Sequence, residues 1–493
     1  MGTGPSRRTF LLSLAGAAAV TGFDPATQAW ATSATPDHAH GIDFAKLPKL
    51  DGELLLPATD LTPYADDYGH IVHRQPAAVL LPGSVQDIAR LIRFAGPLGI
   101  SVAPRGQGHQ TYGQAQVSGG VVIDLGPLDV VSVNAVRRTA TAQAGALWHS
   151  VLTASVAHGL TPPVFPDYIE LSIGGTLSAG GIGGASSHFG AQVDNVAALQ
   201  VVTGTGEIVD CSPTRRPEVF QAALAGLGQF GVITSATVNL VPAPDMVRQY
   251  TLAYPTLPAL TAAQRKVVRD GRFNWLEGAL SPATPSGWTY ALEGAVYYKS
   301  GNPPNDAAVL AGLGFTGAPT TQDFAYVDFV NQLAAAVAFL KSTGEWFDPH
   351  PWINLILPNG ATDRYMQRVL AGLTAADIGA SGVVLLYPVP NRLLTRPFLR
   401  TPDSDLVFLF ALLRTASPDT DAIPVPQALA GNRKLYDDAV AVGATQYPIG
   451  SIPNLTRADW ARQYGSSFAR FSALKRVLDP FSIMTPGQGI FRQ

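Results

Sequence analysis

Cysteine is almost missing from this chain: Cys211 stands alone among 493 residues. That count excludes an intramolecular disulfide, a multi-cysteine metal site and an iron–sulfur cluster, and a solitary cysteine reads as a small buried hydrophobe. Charge is scarce as well. Only 14% of residues are charged, 33 basic side chains stand against 36 acidic ones, and the net charge is −3. Such a balance leaves no electrostatic footprint for nucleic acid, and the basic runs are too short for a membrane-surface patch. The nine histidines form no H-E-x-x-H pair, so no zinc-protease motif is present. The apolar run over residues 11–23 is too short for a comfortable membrane-spanning helix.

What the chain does have is apolar bulk. Hydrophobic residues make up 46% of it, enough for two or three well-packed domains at roughly 150 residues each. The N-terminus reads as a targeting segment over residues 1–31. Ser6-Arg-Arg-Thr-Phe supplies a twin-arginine start, a small-residue apolar run follows, and Ala29-Trp-Ala31 offers a cleavage site. The expectation is export by the twin-arginine route, which carries folded proteins, to the periplasm or the exterior.

The stretch that organises the rest is Pro104-Arg-Gly-Gln-Gly-His-Gln-Thr-Tyr-Gly-Gln114. Apolar runs at 100–103 and 119–125 read as flanking strands, which makes this a glycine-rich loop with His109 at its tip. Its glycines permit positive φ and a close approach to a ligand, and its successive N–H groups could cradle an anion. The same pattern also occurs in plain surface turns, and the loop alone does not choose between the two. Upstream, residues 77–81 read as a strand. Val85, Ile88, Leu91, Ile92 and Ala95 have helical spacing behind a Ser84 cap. Strand, helix, strand, glycine loop, strand is an α+β arrangement. It is not the dinucleotide fingerprint, in which the glycine turn leads directly into a helix. Further on, strands are expected over 130–144, a helix over 148–158, a hairpin over 194–209 turning at Gly204-Thr-Gly206, a helix over 218–225 and a strand over 236–240. The segment Ala179-Gly-Gly-Ile-Gly-Gly-Ala185 is too rich in glycine for an ordinary element and suits backbone packed against a flat ligand.

Several motifs in one order carry a resemblance. Arg105-Gly-Gln-Gly-His109 with Gly113-Gln114, Asp167-Tyr followed by Gly174-Gly-Thr-Leu-Ser178, and Gly226-Leu-Gly-Gln-Phe-Gly-Val-Ile-Thr234 resemble the covalent-flavin oxidoreductases of the vanillyl-alcohol-oxidase type. Within these the chain is most similar to cytokinin dehydrogenases, through His350-Pro-Trp-Ile-Asn-Leu355, Val407 to Arg414, Tyr447-Pro-Ile-Gly-Ser-Ile-Pro453, Asp459-Trp460, Tyr464-Gly465 and Thr485-Pro-Gly-Gln-Gly-Ile-Phe491. The resemblance implies a two-domain α+β FAD-linked oxidase fold. The FAD-binding domain would span 45–242 and return over 441–493. A substrate domain with an antiparallel sheet and helices would span 243–440. The proline-rich stretches at 241–244 and 423–426 fit such boundaries.

The resemblance also implies roles. His109 matches the histidine bonded to the flavin 8α-methyl, and the glycine-rich stretch after Gly174-Gly175 has no cysteine for a second link. Pro104, Arg105, Gly106, Gln107, Gly108, Gln110, Gly113, Gln114, Ser172, Ser178, Ile182, Ile233, Tyr447, Thr485 and Gln488 fall at FAD-contacting positions, with Gln110 and Thr485 standing where serine is usual. Asp167 matches the catalytic aspartate, in a setting of Phe165, Pro166, Tyr168 and Ile169 that would raise its pKa. Glu293 resembles a glutamate facing an adenine ring, with Glu277 as its rival. Trp352 and Tyr387 read as core. The expected reaction is oxidative cleavage of an N6-isoprenoid adenine, with a quinone or dioxygen as electron acceptor. The alternatives are a covalent-flavin oxidase of an alcohol, sugar or phenol, and a secreted flavoprotein that binds a ligand without turnover. Tyr387-Pro-Val-Pro-Asn-Arg-Leu-Leu lacks the tryptophan–aspartate pair usual in the family, a departure on the substrate side. The sequence calls for no metal and assigns no protein partner or oligomeric state.

Overall fold

In the computed structural model the helix expected after Ser84 runs over Val85–Ala95, and the Ser84 hydroxyl accepts the Asp87 N–H at its start. Ile88, Leu91, Ile92 and Ala95 are buried along one face. The structure describes residues 42–283, 287–418 and 420–491, together with the backbone of Val20–Asp24 and Ala29–Thr32, which pair antiparallel. The arginine pair and most of the apolar run that follows it lie outside the described residues. Residues 45–493 form one compact unit.

That unit is built on three main sheets. A four-stranded sheet has the order Glu53–Leu55, Ala78–Leu81, Val121–Asp124, Val102–Arg105. Its last three strands are mutually parallel, as the intervening helix requires. The strand Glu53–Leu55 pairs antiparallel with Ala78–Leu81 at the sheet edge. A five-stranded antiparallel sheet follows, in the order Ile208–Cys211, Val196–Thr203, Gly231–Asn239, Thr139–Gln143, Val131–Asn134. It contains the expected hairpin, with Leu199 opposite Cys211. Cys211 is buried, as expected of a lone small hydrophobe.

The third sheet has eight antiparallel strands, in the order Thr316–Ala325, Met246–Tyr254, Trp288–Tyr298, Trp275–Pro282, Val383–Pro390, Leu406–Leu413, Ile353–Pro358, Thr445–Gln446. Its final strand comes from beyond residue 440. The period of two splits its central strands cleanly. Leu276, Leu280, Leu292, Val384, Leu386, Phe408, Phe410 and Leu412 enter a core with Leu260 and Val267 of the helix Leu257–Asp270, Met366 of Asn359–Gly372 and Tyr436 of Val425–Val440. Truncating a buried phenylalanine such as Phe408 or Phe410 in such a layer costs about 3–5 kcal/mol. The alternate residues Trp275, Glu277, Ala279, Glu293, Val383, Leu385, Tyr387, Leu409, Ala411 and Leu413 line a cavity on the opposite face. The strand Leu406–Leu413 is apolar on both faces because both are covered.

Candidate active site

The glycine loop forms one wall of this cavity. It leaves the strand Val102–Arg105 and bends with Gly108 at φ +63° and Gly113 at φ +73°. Side chains there would collide: a Cβ on Gly106 would lie 1.9 Å from Ser172 Oγ, and one on Gly108 would lie 2.4 Å from an Arg105 guanidinium nitrogen. Arg105 is packed under the loop and donates to the Asp66 carbonyl. Among the described residues, the five consecutive N–H groups of residues 106–110 donate to no protein acceptor. A run of unpaired amides in a loop that walls a cavity is the makeup of an anion nest.

The cavity has a volume of about 600 Å³. Pro104, Arg105, Gly106, Gln107, Gly108, His109 and Gln110 line it, together with Asp167, Ser172, Ser178, Ile182, Ile233, Glu293, Tyr447, Thr485 and Gln488. Gly113 and Gln114 do not. The Gly113 N–H is held by Asp67 Oδ2 at 2.6 Å and the Gln114 amide donates to the Gly450 carbonyl at 2.8 Å, so both brace the loop from behind. Thr485 reaches the cavity because the C-terminal segment is pinned. Buried Lys475 Nζ contacts Asp479 Oδ2 at 2.7 Å and donates to the carbonyls of Gln229 and Met484. The Thr485 hydroxyl in turn donates to the Gly228 carbonyl.

The residues fit FAD. The unpaired amide run suits a pyrophosphate. One buried polar atom on a cavity-lining residue, Asn354 Nδ2, has no protein partner, as expected where a ligand supplies one. Asn354 was legible only as part of the His350-Pro-Trp-Ile-Asn motif, with no role attached. Trp352 and Tyr387, expected in the core, line the cavity instead. Tyr387 is buried all the same, because the cavity-facing side of the sheet is covered as fully as the core side.

His109 is held in an aromatic box. Its ring stacks on Tyr68 at 4.1 Å, and Tyr68 stacks on His350 at 4.1 Å on its other side. Tyr168, Trp346 and Trp352 stand within 5.3–5.9 Å of the His109 ring. The Tyr68 carbonyl accepts from His350 Nδ1, so the two histidines share one brace. Burial pushes the His109 imidazole down to about 3 and His350 to about 4. Both rings are therefore neutral at physiological pH, and His109 keeps the free lone pair that a nucleophilic ring nitrogen needs.

Across the cavity stands a cluster of three acids. Glu277 and Glu293 are directly opposite each other in adjacent antiparallel strands, and the Glu277 carboxyl hydrogen-bonds Asp167. Burial raises all three pKa values. Glu277 is lifted furthest above the ordinary carboxylate range, by burial and then by the charge and hydrogen bond of Asp167. Its hydrogen bond favours the ionised form of Asp167. Within the pair Glu277 therefore holds a proton more readily than Asp167, which is the more easily ionised of the two. The two candidates for the substrate-side glutamate accordingly divide: Glu277 is the partner of Asp167, and Glu293 is the third acid of the wall.

Residues 76–212 match the family model of an FAD binding domain, and residues 277–491 match that described as "Cytokinin dehydrogenase 1, FAD and cytokinin binding". The chain is 38% identical to an uncharacterized oxidoreductase of the fasciation locus of Rhodococcoides fascians, across 87% of this chain and 96% of that protein. It is 34% identical to cytokinin dehydrogenase 5 of Oryza sativa subsp. japonica, across 89% and 91%, and 34% identical to cytokinin dehydrogenase 2 of Arabidopsis thaliana, across 86% and 91%. The crystal structure of 6-hydroxy-D-nicotine oxidase from Arthrobacter nicotinovorans shares the fold, with a TM-score of 0.67 at 20% identity over 88% of this chain and 96% of that one. With the two-domain FAD-linked oxidase fold, a cavity that fits the cofactor and relatives of this similarity along most of its length, the chain belongs to the cytokinin dehydrogenase family and is an FAD-dependent oxidoreductase.

Proposed function

We propose that this protein oxidatively cleaves the N6 side chain of isoprenoid adenines, with its FAD carried covalently on His109. The observation that carries the reading is the Asp167–Glu277 pair, a shielded carboxylate and its proton-holding partner in the wall of the cofactor cavity. FAD supplies the two-electron oxidation by accepting a hydride. The protein's share is to hold the amine and manage its proton. Asp167 hydrogen-bonds the side-chain N–H and takes that proton as the adjacent C–H loses its hydride, leaving a C=N bond. Glu277 keeps its own proton and fixes the Asp167 carboxylate. Water adds across the imine, and its collapse releases adenine and an unsaturated aldehyde. Leu385, Leu409, Ala411 and Leu413 present an apolar wall to the isoprenoid chain. Neutral His109, stacked on Tyr68 within its aromatic box, is prepared to form the bond to the flavin 8α carbon.

The test is anaerobic mixing of purified protein with isopentenyladenine, following the flavin absorbance and the release of adenine. Rapid bleaching with adenine release supports the assignment. A flavin that photoreduces normally but is not bleached by isopentenyladenine removes it. Export by the twin-arginine route belongs to the same proposal and rests on Ser6-Arg7-Arg8 and the apolar run behind it. Replacing both arginines by lysine should retain the protein in the cytoplasm on fractionation.

A further inference from the structure

A second cavity, of about 230 Å³, opens on the other face of the strand that carries Glu277. Its floor holds Phe273 and Leu276, both buried, and Leu276 precedes Glu277 in the strand Trp275–Pro282. The period of two sends these neighbours to opposite faces, so Glu277 lines the cofactor cavity and Leu276 the second one. Three segments meet there. Ser187 and His188 come from the short helix Ser186–Phe189, just after the glycine-rich stretch at residues 179–185. Arg269 and Asp270 end the helix Leu257–Asp270. Arg392 stands in the turn Asn391–Leu393, inside the segment that departs from the family pattern. The Gly184 carbonyl accepts the Leu276 N–H at 3.0 Å and the Ser187 hydroxyl at 3.3 Å, which ties the floor to the wall.

The charges of this cavity are unevenly used. Among the described residues Asp270 is the one acid that lines it, and its Oδ2 is taken by Lys266 at 3.0 Å and by Arg272, neither of which lines the cavity. The side chains of Arg269 and Arg392 make no ion pair or hydrogen bond among the described residues, and the His188 ring has an edge contact with Phe189. All three residues are exposed at the rim. Arginines nearby in the chain do find acceptors: Arg265 in Asp363, Arg272 in the Val309 carbonyl and Arg396 in the Val193 carbonyl. The last carbonyls of the helix Leu257–Asp270 bring roughly half a negative charge to one side. Two guanidinium groups and an imidazole stand against it, so the cavity favours an anion. The planar fork of a guanidinium matches the paired oxygens of a phosphate or carboxylate, and a doubly charged phosphate gains most from two such forks.

We infer that this cavity binds a phosphate group, as the free ion or as a small monoester, between Arg269, Arg392 and His188. The bound group would bridge two parts of the chain. Ser187 and His188 belong to the stretch matched by the FAD-binding model, and Arg392 belongs to the stretch matched by the cytokinin-binding model. The site lies behind the Leu276–Glu277 strand and outside the cofactor cavity. It goes beyond the proposed reaction and does not depend on it. No electron or proton transfer is involved, only contacts from guanidinium and imidazole nitrogens to phosphate oxygens.

The experiment uses full-length holoprotein, so that the flavin already fills the anion nest of the glycine loop. Sodium phosphate is titrated calorimetrically at constant ionic strength into wild type, Arg269→Gln and Arg392→Gln, both substitutions being at exposed positions. Arg215→Gln serves as a control that removes a positive charge not lining the cavity. The expected result is saturable binding in the wild type, weakened about tenfold or more in each cavity variant, the loss expected of one hydrogen bond to a charged group. The control should keep the wild-type affinity. Phenyl phosphate is titrated in parallel. Tighter binding than phosphate assigns the site to monoesters, weaker binding assigns it to the free ion, and in either case the same two variants should lose it. Absence of saturable binding in the wild type, or one affinity shared by the wild type and both cavity variants, would overturn the site. A failure of isopentenyladenine to bleach the flavin would strike the amine assignment and leave this result standing.

Discussion

Replacing Asp167 by asparagine removes the proposed base and keeps its size and shape. Glu277 retains an oxygen to donate to, so the local packing survives. Two consequences follow from the geometry. The first is kinetic. The amine proton loses its acceptor, and a positioned general base contributes roughly 10²–10⁴-fold to such a step. Stopped-flow bleaching by isopentenyladenine under anaerobic conditions should slow by about that factor, with flavin content unchanged. The second is thermodynamic. The Asp167 charge raises the pKa values of Glu277 and Glu293, so removing it relieves a repulsion inside the cluster. Asp167, Glu277 and Glu293 all have raised pKa values in the folded state. A carboxyl group of this kind contributes stability that is fully present below its unfolded pKa and is lost as pH rises through its folded one. The wild type should therefore lose stability from about pH 4 upward, and Asp167→Asn should lose less of it. Urea titrations at pH 5 and pH 8 measure that difference. Bleaching within threefold of wild type, with flavin retained, would refute the role of Asp167. An identical pH dependence of stability would refute the charged cluster.

Three further outcomes are expected. His109→Ala should abolish flavin that stays with the chain after acid precipitation, and Tyr68→Ala should reduce the covalently bound fraction by loosening the stack, both read by fluorescence of the denatured band. Asn354→Leu removes a buried donor that has no protein partner, so apoprotein stability should be unchanged or slightly raised while ligand affinity falls by roughly 1–3 kcal/mol, about 5- to 150-fold in Kd by titration. Lys475→Met strands buried Asp479 and should cost about 3–5 kcal/mol in denaturant unfolding, with loss of flavin as the Thr485 segment detaches from the Gly228 carbonyl.

The parts of this protein that sequence alone determined are those built from neighbours along the chain. The helix after Ser84 rests on local spacing and a local cap. The turn at Gly108 had to be glycine because its positive φ and the packing of nearby Arg105 leave no room for a side chain, whereas Gly106 is pressed by distant Ser172. The three flavin-type motifs were readable as short glycine-rich backbone shapes that few residue types can adopt. The functions of isolated polar residues were not local in this sense. Glu277 and Glu293 were rivals on paper because each is a single acid in an apolar strand. Only the pairing of the two strands placed them opposite each other, and only the loop at Asp167 folding over that sheet decided which one pairs with that aspartate. Trp352 and Tyr387 look like core residues because burial and cavity lining demand the same apolar surface, and the period of two assigns a face only once the layer on the other side is known. The stack of His109, Tyr68 and His350 joins residues up to 282 positions apart. No periodicity in a sequence records a contact at that range, because it is set by how the sheets close on one another and not by any segment's own preference.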